Sequence, residues 1–197
     1  MSMTPESDMK ERILRAAFDL FSEKGYDKVS LNEVVVKAGV SKGGLFHHFD
    51  SKYSLARDSL IWWANTHMEP GFMAEVAEEM SPQDILVHFI DFMIGIMDED
   101  VGFTRFFWSV FDESMRRQED HSIWLDFLEG YAAMISGVYE KMGVKDPYMK
   151  SMLFLSNMDG MALYCSMLKQ TGRDFDLEAL REEFIRTYVT FQEEVSK

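Results

Sequence analysis

Cysteine is almost absent. Cys165 is the single cysteine in 197 residues, so no disulfide can form within the chain, and the usage fits a reducing compartment. Proline occurs four times and glycine twelve times, scattered. That excludes low-complexity linkers and the dense turn punctuation of an all-β chain. Long apolar runs are missing too. The stretch "HFIDFMIGIMDED" is broken at Asp91 and again at Asp98, Glu99 and Asp100, well short of the ~18 residues of a membrane span. The first thirty residues carry charges throughout and no apolar segment of a secretory signal. A cytoplasmic location and no membrane partner are therefore expected. No Ser/His/Asp spacing, glycine-rich phosphate loop or metal-ligand motif stands out, so neither an enzyme nor a cofactor is expected. His47 and His48 are adjacent, and neighbours on a helix diverge by about 100°, too far to face one ion.

Positive charge is also short, with 20 Lys and Arg against 34 Asp and Glu, a net −14. The deficit is uneven. Through Arg57 there are 9 basic and 8 acidic residues, and after it 11 and 26. Uniform acidity would argue against a nucleic-acid partner; a near-neutral first fifty-odd residues leaves one open.

What is present is apolar and helix-forming. Hydrophobic residues make up 47% of the chain and aromatics 14%, enough for a core. Long stretches rich in Leu, Met, Glu, Lys and Ala predict an all-α fold. "MKERILRAAFDLFSEKGY" puts Ile13, Leu14, Ala17, Phe18, Leu20 and Phe21 on one helical face, with Gly25 as its stop. Ser30 followed by Glu33 is a capping box, which starts a second, short helix ending at Gly39. Ser41 can cap a third, "KGGLFHHF", and Asp50 or Ser51 a fourth from Lys52. Val34, Val40, Leu45 and Phe49 are placed to close a small core on Phe18 and Phe21. Short helix, tight turn, short helix is the outline of a helix-turn-helix. Longer helices are predicted over 52–68, continuing to about 79, and over 82–97, 102–117, 119–141, 147–170 and 176–195.

At this point the chain resembles the TetR/AcrR family of transcriptional regulators. The residues that carry the resemblance are Ala17, Phe21, Gly25-Tyr26, Ser30, Ala38-Gly39-Val40-Ser41-Lys42-Gly43, Leu45 through Phe49, and Ser51-Lys52. The resemblance implies a three-helix DNA-binding domain over 1–51. It also implies a helical ligand-binding and dimerisation domain over 52–197. The function implied is a ligand-responsive regulator that binds double-stranded operator DNA as a homodimer, a repressor released by a small apolar or aromatic effector. The alternative is a helical ligand-binding or scaffolding protein whose N-terminal domain does not bind DNA. The chain departs from the family pattern at three places: Phe46 stands where Tyr is usual, Val35 where Ala is usual, and Gly44 where a Thr, Ser or Ala is commoner.

Candidate DNA-binding residues are Ser30, Ser41, Lys42, Gly43, Gly44, Phe46, His47, His48 and Lys52. Lys42 and Lys52 suit phosphate contact, His47 a base edge or phosphate, and His48 the DNA backbone. Trp63, His67, Phe107, Trp124, Asn157 and Tyr164 are candidate lining for an apolar effector cavity. Plain helical core is the competing reading for any one of them. Dimerisation is expected through the two C-terminal helices, on a face including Met152, Leu155, Met158, Met161, Leu180, Phe184, Tyr188 and Phe191.

Overall fold

The computed structural model describes residues 5–67, 80–99, 101–117 and 121–190. Among these, all regular structure is α-helical: α1 Pro5–Lys24, α2 Leu31–Ala38, α3 Lys42–His48, α4 Lys52–His67, α5 Pro82–Glu99, α6 Val101–Arg117, α7 His121–Lys141, α8 Pro147–Gln170 and α9 Leu177–Tyr188. The predicted continuation of the fourth helix to 79, and the end of the last beyond 190, lie outside the described residues. The chain forms two compact units, 1–69 with 105–121, and 70–104 with 122–197. By packing, α4 and the later part of α6 go with the first unit.

In the first unit, α1 packs on α2 and α4, and α2 on α3. Ile13, Ala17 and Phe21 are fully buried, as are Val34, Leu45, Leu55 and Ala56. Val40 is only partly buried. Burying each large aliphatic or aromatic side chain contributes about 1.5–3 kcal/mol, so these residues supply the main cohesion among α1 to α4. Phe106 of α6 is fully buried against Phe18 and Phe21, with ring centroids 6.0 and 5.1 Å away. Arg105 donates to the carbonyls of Ser22 and Glu23 at the C-terminus of α1, 3.2 Å each, where orphan carbonyls favour a cation.

In the second unit, α5 packs on α8 and α9. Arg181 grips Asp91 through two nitrogens, at 2.5 and 3.2 Å. Phe154 is buried among Phe89, Phe184 and Tyr188. Tyr139 donates to the Tyr188 carbonyl at 3.2 Å, and burial pushes its phenol pKa upward.

Candidate DNA-binding surface

The helix-turn-helix is fixed by three local devices. At the start of α2, the Ser30 hydroxyl accepts from the Glu33 N–H at 3.3 Å, and the Glu33 carboxylate accepts from the Ser30 N–H at 2.8 Å. The same carboxylate takes Lys24 Nζ at 2.8 Å. Lys24 and the Ser30 bonds together hold the Glu33 pKa down to about 2. At the turn, Gly39 adopts φ +64°, which a Cβ would oppose, and the Val40 N–H returns to the Val35 carbonyl at 3.2 Å. At the start of α3, the Ser41 hydroxyl accepts from the Gly44 N–H at 3.0 Å.

These devices sort the candidate contacts. Ser30 and Ser41 are exposed, but their hydroxyls serve as caps. Lys42, Gly43 and His47 are exposed on α3. Gly44 faces α1: a Cβ there would lie 3.4 Å from Met9 Sδ. His48 is partly buried, with Nε2 out of solvent and without a hydrogen-bond partner, an inward pose at odds with a contact to the DNA backbone. Lys52 is also drawn inward. Its ammonium lies 4.6 Å from the Tyr26 ring centroid and donates to the Asp27 carbonyl at 3.3 Å. Burial lowers its pKa. The fourth helix is capped by Ser51, whose hydroxyl accepts from the Ser54 N–H at 3.0 Å.

A sequence model described as bacterial regulatory proteins, tetR family, matches residues 13–58, the segment these caps organise. That segment of the chain is similar to the TetR family. The chain is 42% identical over 52 residues to the biofilm operon icaADBC HTH-type negative transcriptional regulator IcaR of Staphylococcus aureus. That match covers 26% of this chain and 28% of IcaR. Among solved structures, a TetR/AcrR-family transcriptional regulator from Aquifex aeolicus superposes with a TM-score of 0.62 at 24% identity, covering 90% of this chain and 95% of that one. Escherichia coli NemR in its reduced form gives 0.72 at 18% identity, covering 94% and 99%. The TetR-type all-α fold thus extends over most of the chain, while the likeness to IcaR spans about a quarter of it and of that protein.

The chain divides the six candidate effector residues three and three between its units. Trp63 is half-buried in a stack of three rings, with Phe18 at 5.2 Å and His67 at 4.7 Å. Phe107 is half-buried on α6. In the second unit, Trp124 is buried on α7, whereas Asn157 and Tyr164 are exposed on α8. Asn157 donates to the Tyr188 hydroxyl. Neither unit gathers all six.

Sequence reasoning missed two features. One is the ring-and-cation cluster of Tyr26, Lys52, Tyr53 and Arg117, in which Arg117 lies 5.0 Å from the Tyr53 ring centroid. It joins side chains from three segments, the loop after α1, the start of α4 and the end of α6, and no spacing rule relates these segments. The other is an open groove of about 480 Å³ between α1 and α4, bordered by Lys10, Leu14, Asp58, Trp62 and Asn65.

Proposed function

We propose that this protein is a cytoplasmic, ligand-responsive transcriptional repressor that binds operator DNA as a homodimer. The observation that carries the reading is the capped helix-turn-helix, with Lys42 and His47 exposed on α3, inside the segment that matches the family. IcaR, 42% identical over 52 residues, is described as a negative regulator, which favours repression over activation. The test is a gel-shift assay on the DNA upstream of the protein's own gene. Retarded duplex that survives excess nonspecific competitor is expected. No retardation at low salt, where phosphate attraction is strongest, would leave the helical binding protein with an inactive N-terminal domain as the reading.

Pairing of two copies is supported by α8. Tyr148, Met149, Met152, Leu153, Leu163, Tyr164 and Met167 are all exposed there. They form one stripe, with Ser156 and Gly160 at its centre. A Cβ on Gly160 would meet nothing within 4 Å, so a second helix can approach closely at that point. The expected face needs correction. Met158, Phe184 and Tyr188 are buried inside the second unit, because they fall on the sides of α8 and α9 that meet the unit's own core. Phe191 lies outside the described residues. A two-fold pairing through the exposed stripe would make the contact self-complementary.

The effector we propose is apolar or aromatic, and a cationic compound would find a carboxylate in Asp159. That group is half-buried on α8, and burial raises its pKa to about 6. Asp126, the other acidic candidate, is exposed.

A further inference from the structure

The third helix carries an apolar ring on its outer face. Phe46 is 43% exposed, while its neighbour Leu45 is fully buried. Lys42, one turn earlier, holds its ammonium 6.0 Å from the Phe46 ring centroid, so cation and ring share one face. The rest of α3 offers little besides His47. Gly43 has no side chain, Gly44 is turned to Met9, and His48 holds Nε2 out of solvent. The Ser41 hydroxyl is engaged as the cap.

A phenyl ring can donate no hydrogen bond to a base edge or a phosphate. Against a major groove it needs an apolar surface, and the apolar group displayed there is the C5-methyl of thymine. Cytosine presents a hydrogen at that carbon, and the purines present polar edges. The neighbouring ammonium supplies the charge that brings this face to DNA. We infer that Phe46 is a specificity-determining residue that packs on a thymine C5-methyl in each operator half-site. The inference rests on the DNA-binding reading.

The experiment starts from duplexes selected by the full chain from a random double-stranded library. The tightest duplex is resynthesised with each thymine replaced in turn by deoxyuridine, which removes the methyl and nothing else. Loss of one buried methyl should weaken binding about fourfold at one position in each half-site. Phe46→Ala should bind the parent duplex more weakly and no longer distinguish thymine from uracil there. The wild-type comparison needs no variant, so it stands whatever the substitution does to folding. Tight binding with every uracil tolerated would overturn the inference alone. Undiminished uracil discrimination by a folded Phe46→Ala would assign the methyl to another residue and overturn it too. Recovery of no duplex would overturn the DNA-binding reading together with it.

Discussion

Single side chains here combine a local bond with a charge state, and the two can be separated by pH. Glu33 has a folded-state pKa of about 2, below its ordinary value. Its contribution to stability is therefore complete above about pH 4.5 and is lost as pH falls through about 2. Glu33→Gln should lower the melting temperature at pH 7, and the gap to wild type should close in melts run near pH 2. Asp159 is the reverse case, since burial lifts its pKa to about 6. Protonated it is tolerated; ionised it destabilises, so stability is lost as pH rises through 6. Asp159→Asn should stabilise the protein at pH 7.5 by about 1–3 kcal/mol and change little at pH 4, as read by urea titration. Lys52 illustrates how position overrides residue type. A lysine beside a recognition helix suits phosphate, yet this one is held on the Tyr26 ring and the Asp27 carbonyl. Lys52→Ala should cost about 1–2 kcal/mol of stability and leave the salt dependence of operator binding unchanged. Lys42→Ala should instead reduce the salt slope by about one unit.

Helices add a second level, because each has faces and the faces answer to different partners. On α8, Phe154, Met158, Ala162 and Cys165 are buried and recur every three or four positions, the spacing of one helical side. The exposed Met149, Met152, Leu153, Leu163, Tyr164 and Met167 occupy another side. An apolar stripe of that length on a lone chain is the mark of an interaction surface. Leu153→Lys places an ammonium in the stripe without touching the unit's own core. Sedimentation at micromolar concentration should show wild type as a dimer and Leu153→Lys as a monomer with unchanged helicity. A wild-type monomer would contradict the assignment. The cysteine belongs to this level as well. Cys165 is buried in the α8 core face, where burial raises its thiol pKa and makes it unreactive.

For the molecule as a whole, the proposed function is a coupling between two equilibria, and coupling is reciprocal. If an effector lowers operator affinity tenfold, the coupling free energy is about 1.4 kcal/mol, and operator DNA must lower effector affinity tenfold. Tryptophan fluorescence can follow a candidate ligand with and without operator, since Trp62 and Trp63 lie on α4 and Trp108 and Trp124 on α6 and α7. A tenfold difference between the two titrations is the expected result. Equal affinities would mean that the compound binds without driving release.

The amino-acid sequence alone determined the helical class and the helix-turn-helix. Caps, glycine stops and apolar periodicity act within a few residues, so Ser30, Glu33, Gly39 and Ser41 could be assigned their places from neighbours in the chain. Most helix limits came out within a residue or two for the same reason. Only the tertiary structure decided which candidate side chains remain outward. Lys52 and His48 turn inward and Gly44 meets Met9 because residues distant in sequence surround them. Tertiary packing likewise chose between two apolar sides of α8, burying Met158 and leaving Tyr164 in solvent. Periodicity shows that a helix has an apolar side, but the partner that covers it is set by segments far away in the chain.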